Sequence, residues 1–271
     1  MSVELTCSTE KLAKKEHSTA LQPLGALSSL VLFGLPAVLL FAAFHAFRPW
    51  LESLGHDPLT SYLASLCVPL ALLFSAALIA YHKVEGRLLT WQAFSERMRL
   101  PHLRWRDVLW GLVIFVIGGI SIGLLSGLIR VLTLNGWIPL PSNLPSIADP
   151  RAALTLDTLI QAAGGMIRGR WDIAVLFLVT FFFNIAGEEL WWRGYILPRQ
   201  ELAFGRKTWL IHGLLWAGFH VFKWWDLLPL LPICLLTAYC AQRTRSTWGA
   251  LIGHALTNGL GLIAVLLVIA G

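Results

Sequence analysis

Glu188 and Glu189 stand side by side after a strongly apolar run, Val175 to Gly187, and Arg193 follows the second acid by four positions. A carboxylate in a bilayer costs several kcal/mol unless it is paired or faces water, so an acid at such depth is a functional candidate. Glu189 and Arg193, at i and i+4, share a helix face and can form an ion pair. Glu188 lies about 100° further round the helix and has no evident local partner. A desolvated carboxylate without a cation is a better proton acceptor near neutral pH, as a general base requires. The other reading of the same residues is an ion-pair network that only ties helices together.

Two more polar pairs follow in apolar surroundings. Trp216 and His220 are one turn apart on one helix face, as are His254 and Asn258. A histidine in an apolar helix often serves only as a hydrogen-bond link between helices, and His45 and His212 are read that way. The imidazole of His254 and the carboxamide of Asn258 together can donate two hydrogen bonds to a developing oxyanion. At ~1.5 Å per helical residue, Glu188 is roughly 16 Å along the chain axis from Arg199, His254 roughly 14 Å from Arg245 and His220 roughly 20 Å from Lys207. Ordinary helix tilt covers these differences, so an acid, two histidines and an amide can meet at one level.

The elements that must hold them are membrane helices. The chain has 271 residues, 56% hydrophobic and 13% charged, against about 25% charged for soluble domains. The expected fold is all-α, a polytopic bundle of about seven (6–8) spans around a polar intramembrane cavity. The spans fall near 24–47, 60–81, 108–133, 172–198, 207–223, 227–242 and 247–270, each at or near the ~20 residues a crossing needs. The fifth and sixth are short and interrupted by Lys223, Asp226, Pro229 and Pro232.

The net charge of +6 reflects orientation rather than nucleic-acid binding. Three Lys or Arg lie in the N-terminal tail, six in 82–107, three in 199–207 and two in 243–246; this is fourteen on one side against five on the other. That bias puts the N-terminus in the cytoplasm of a cell (inner) membrane. The polar first 23 residues lack the apolar stretch and cleavage site of a secretory signal, and read as a retained cytoplasmic tail. Cys7, Cys67, Cys234 and Cys240 have no metal or redox spacing. Gly119, Gly123 and Gly127, and Gly249 and Gly253, recur every four residues as close-packing helix faces do. The long Asn135–Asp172 loop opens with four prolines and then turns helix-like from Arg151 to about Met166, where it can lie on the membrane surface.

Glu-Glu-x-x-x-Arg (Glu188, Glu189, Arg193), an aromatic-x-x-x-His (Trp216, His220) and His-x-x-x-Asn (His254, Asn258), in this order on successive spans, resemble the CPBP family. This is the type II CAAX prenyl protease and bacteriocin-processing group, also called ABI proteins. The resemblance covers about residues 172–270, and Trp216 stands where phenylalanine is more usual. It implies an intramembrane endopeptidase of glutamate type, formerly classed as a metalloprotease. Glu188 would activate water with His220, and His254 and Asn258 would stabilise the oxyanion. Glu189 and Arg193 would position the helix and tune the site. No cofactor is expected; zinc, held by Glu188, His220 and His254, is the less favoured alternative.

The resulting division is a cytoplasmic tail (1–23), variable transmembrane helices (24–134), a long loop with an interfacial helix (135–171) and a CPBP-like catalytic core (172–271). The expected partners are the bilayer and a membrane-anchored protein or peptide substrate. A non-catalytic immunity or scaffold protein that keeps the motif as a structural network is the alternative. A proton-coupled transporter is a third reading, but the chain lacks the duplicated halves common in such folds.

Overall fold

The computed structural model describes residues 21–153 and 155–271. Residues 1–20 of the expected tail, with Cys7, Lys11, Lys14 and Lys15, lie outside them. Among the described residues every regular element is a helix. In a lipid phase only a backbone that satisfies its own hydrogen bonds is stable, and helices do so within one segment.

Helix α1 (Ala26–Ser53) and α2 (Pro58–Val84) form the first hairpin. Asp57 ends the turn between them. Its carboxylate accepts from the Thr60 amide at 2.8 Å, with Pro58 opening the helix. The short α3 (Trp91–Arg97) starts at a Thr90 cap, and α4 (Trp105–Leu134) follows. Helix α5 (Leu156–Ala162) lies in the long loop. Helix α6 (Trp171–Phe182) runs through widened π-helical turns, Phe183–Gly187 and Glu189–Ile196, into α7 (Leu197–Phe204). Helices α8 (Thr208–Phe219), α9 (Leu227–Thr244) and α10 (Trp248–Ala270) complete the bundle.

Five helical stretches are long and apolar enough to cross a membrane, and one of them, Trp171–Thr244, contains α6 through α9. The seven expected spans therefore each fall on a helix, and the chain is a multi-pass membrane protein. Its outward surface is apolar, with Leu27, Leu124 and Leu267 among the exposed side chains.

Helix α8 has 12 residues. At 1.5 Å per residue it rises roughly 18 Å, short of a bilayer core of about 30 Å. Its end, at His220, therefore falls inside the apolar layer. There the chain tightens into a 3₁₀ path, His220–Asp226, with Lys223 at φ −125°, ψ 65°. Lys223 pairs with Asp226 at 2.7 Å. Non-helical backbone at this depth must be held by protein, and it is. His45 of α1 donates from Nε2 to the Phe222 carbonyl at 2.8 Å, and the Trp224 indole donates to the Pro139 carbonyl at 2.9 Å. Arg48, fully buried, reaches the Asn143 carbonyl at 2.7 Å. These bonds strap the 135–150 loop over the break. The helix expected from Arg151 to Met166 is shorter, Leu156–Ala162. It begins at a Thr155 cap, and Gly164 and Gly165, both at positive φ, follow its end.

Of the two glycine faces expected to pack, one does and one does not. Gly249 and Gly253 do pack tightly: a Cβ on Gly253 would sit 2.6 Å from Ile114, and one on Gly249 2.8 Å from the Cys240 sulfur. Gly119, Gly123 and Gly127 are exposed and meet nothing. The α4 face that packs is instead the one carrying Gly111 and Gly118. Lipid and protein are equally apolar, so spacing alone does not tell which face turns inward. Gly253→Leu is expected to destabilise the bundle by about 1–3 kcal/mol, as overpacking does. A lowered thermal midpoint in detergent reads this, and an unchanged midpoint would contradict the packing.

At the opposite end from the strap, the segment joining α2 to α4 folds back onto the bundle. Arg97 is buried, paired with Glu85 at 2.6 Å, and donates to the Gly194 carbonyl at 2.7 Å. Met98 is fully buried, and its carbonyl accepts from Thr247 Oγ1 at 2.7 Å.

Candidate active site

Glu188 sits between the two widened turns of α6, and π-helical turns of this kind occur often at functional sites. Gly187 lets α2 come close, since a Cβ there would lie 2.9 Å from the Leu70 carbonyl oxygen. Glu188 is 1% exposed, yet its carboxylate borders a cavity of about 530 Å³. Asn184, one turn earlier, donates from Nδ2 to Oε1 at 2.7 Å. The Trp216 indole N–H donates to Oε2, also at 2.7 Å. The expectation that Glu188 has no partner is thus corrected: it has two, both neutral donors. Neutral donors hold the carboxylate in place without cancelling its charge.

Glu189 points elsewhere. Its Oε1 accepts from Arg193 NH1 at 3.0 Å and from His254 Nδ1 at 2.9 Å. Both Glu189 and Arg193 are fully buried. The guanidinium lies 3.5 Å from the centre of the Trp216 ring. Stacking on the aromatic face covers a cation whose Nε and second amino group have no hydrogen-bond partner. The Glu189–Arg193 pair is where the spacing put it, and His254 joins it from α10.

His220 is fixed by its own helix. Its Nδ1 lies 2.9 Å from the Trp216 carbonyl oxygen. A carbonyl only accepts, so Nδ1 carries the proton and Nε2 of the neutral ring is left as an acceptor. Asn258 donates from Nδ2 to the Asn184 Oδ1, which makes a relay Asn258–Asn184–Glu188. Glu188, Trp216, His220, His254 and Asn258 all border the one cavity. The Trp216 ring is 5.6 Å from the rings of both histidines.

Asn184 was missed in the sequence. The signal was there: an amide inside an apolar run, four residues before a buried acid. The sequence places Trp216 on the His220 face, in a position where phenylalanine is more usual; the structure adds its N–H bond to Glu188, which phenylalanine cannot make. Trp216→Phe is expected to lower turnover by about 10-fold or more, on the scale of one hydrogen bond to a charged group, with little change in substrate affinity. Steady-state kinetics check this, and an unchanged kcat would remove Trp216 from the account.

Glu188, His220 and His254, the residues of the zinc alternative, all border the cavity, and the Nδ1 of each histidine faces a protein oxygen. No three His, Cys, Asp or Glu side chains among the described residues are grouped as a metal ion requires.

Comparison with protein families finds one that matches part of the chain. Type II CAAX prenyl endopeptidase Rce1-like matches residues 170–260, which holds every motif residue named above. No curated protein and no solved structure matches the chain. The ordered motifs and the membrane helices that carry them agree with this match, and residues 170–260 of the chain are similar to the type II CAAX prenyl endopeptidase Rce1-like family.

Proposed function

We propose that the protein is a metal-independent intramembrane endopeptidase with Glu188 as general base. One observation carries the reading: Glu188, a buried carboxylate held by two neutral donors, borders a cavity that His220, with its Nδ1 bound to a carbonyl, also lines. Glu188 takes a proton from a water molecule that His220 Nε2 orients. The water oxygen bonds to the carbonyl carbon of the scissile peptide, and the carbonyl electron pair moves onto its oxygen. Asn258 has a second N–H beyond the one given to Asn184, and it donates to this oxyanion. His254 donates from Nε2 in its imidazolium form, with Glu189 as counter-charge. Collapse of the intermediate breaks the C–N bond. The departing nitrogen takes the proton from Glu188, leaving a carboxylic acid and an amine.

Charge balance supports these roles. The cluster holds two carboxylates and one guanidinium, so one added proton makes it neutral. Burial favours the neutral total. With His254 as the imidazolium the cluster is neutral, and the proton that Glu188 takes from water is matched by the negative charge on the oxyanion.

The substrate is a membrane-anchored protein or peptide, and the protein resides in a cell membrane with its N-terminus in the cytoplasm. Activity is expected to persist after prolonged chelation with EDTA and 1,10-phenanthroline. Loss on chelation with recovery on added zinc would overturn the metal-independent mechanism. The non-enzymatic scaffold reading draws on the Glu189–Arg193–His254 network, which links α6 to α10 without any substrate. It predicts no product from the wild-type protein in purified form.

A further inference from the structure

The cavity is not symmetric across the bundle. On α2 its lining runs from Tyr62 to Leu70, near the Pro58 end. On α6 it begins at Phe177, close to Trp171, and on α9 at Leu230, close to Leu227. Lys223 and Phe222 of the strapped break border it as well. All of these lie toward the end of the bundle where the 135–170 loop sits. On α10 the lining continues past His254 to Asn258 and Gly261, both exposed, and a side chain at Gly261 would meet nothing within 4 Å.

The other end is closed. Behind Glu188 the helix continues as Trp192, Ile196 and Leu197, all fully buried. Met98 lies against Gly194, where a Cβ would come 2.9 Å from its sulfur. Arg97 and Thr247 bind this plug through backbone carbonyls on both sides. The closed end is also the basic end. Among the described residues eleven lysines and arginines lie on the loops of that side and five on those of the other, and the basic side of a membrane protein faces the cytoplasm.

We infer that the active-site cavity opens away from the cytoplasm, and that the enzyme cuts the extracytoplasmic part of membrane-anchored or exported polypeptides. The substrate claim rests on the proteolytic reading above; the side of access does not. A cytoplasmic chain terminus has no route to Glu188 past the Met98 plug. A polypeptide on the far side reaches it through the mouth formed by α2, α6 and α10.

The test uses the full chain in a bacterial cytoplasmic membrane, with the outer membrane permeabilised and a membrane-impermeant maleimide as probe. Three substitutions, Ser142→Cys in the long loop, Gly261→Cys in the cavity and Lys207→Cys in a basic loop, are each read above the labelling of the unsubstituted protein. Ser142→Cys and Gly261→Cys are expected to label in intact cells, and Lys207→Cys only after lysis. Tyr62→Cys replaces Gly261→Cys if the latter fails to accumulate. Reversed labelling of Ser142→Cys and Lys207→Cys, or cavity labelling only after lysis or not at all, overturns the inference. Mapping cleavage sites lost in Glu188→Gln cells then tests the substrate. Sites on cytoplasmic segments sink the access inference while leaving proteolysis intact. Extracellular labelling without any Glu188-dependent cleavage sinks proteolysis and leaves the access side standing.

Discussion

Glu188→Gln is expected to lower the rate of peptide cleavage by about 10²–10⁴-fold, the usual worth of a positioned general base. The side chain keeps its shape and loses only its capacity to take a proton. Two N–H groups, from Asn184 and Trp216, point at the two carboxylate oxygens. Glutamine can accept only one of them, so the variant carries a local cost of about 1–3 kcal/mol for the unmatched donor, too little to unfold a bundle of this size. The decisive measurement is cleavage by purified protein at matched amounts and matched thermal midpoints. Cleavage at the wild-type rate would end the proposal that Glu188 is the base. His220→Ala should lose a comparable fraction of activity through the same step, because the water then lacks its second acceptor.

Arg193→Ala should fail differently, as a folding defect. Glu189 would keep His254 but lose the guanidinium that neutralises it, inside a site that is fully buried on both partners. Breaking a buried pair from one side costs about 3–5 kcal/mol. The guanidinium also fills the space over the Trp216 ring at 3.5 Å, so its removal loosens the residue that holds Glu188. Lysine should not restore the protein, since an ammonium does not offer the planar stack on the Trp216 ring. The readout is the yield of monodisperse protein in detergent and its melting temperature. A variant that accumulates and melts with the wild type, yet does not cleave, would move Arg193 from support to chemistry.

Much of the site can be read along the chain. The i, i+4 spacing that places Glu189 against Arg193 and Trp216 beside His220 is a property of one helix. The matching depths of Glu188, His220 and His254 follow from counting residues to the nearest basic loop. The shortness of the fifth span, and the polar residues and prolines after it, announce the break at Lys223. Asn184 belongs to the same class of signal.

What the sequence could not determine is how the helices are turned and which neighbours they meet. In water an amphipathic stripe reports the buried face. In a membrane the outer face is as apolar as the inner one, and that report is lost. Gly111 and Gly118 meet α10 and α9 while Gly119, Gly123 and Gly127 look outward, although both sets are equally visible in the sequence. The same rotation places the Trp216 indole on Glu188 and the His254 imidazole on Glu189, from two other helices. Residue types and spacing along each helix therefore determined that an acid, two histidines and an amide lie at one depth in a membrane bundle. Only tertiary packing decided that Glu188 is held by neutral donors, that Glu189 carries the ion pairs, and that the cavity they share is plugged at its basic end. Those contacts depend on helix rotation and close approach, which a uniformly apolar surface does not encode.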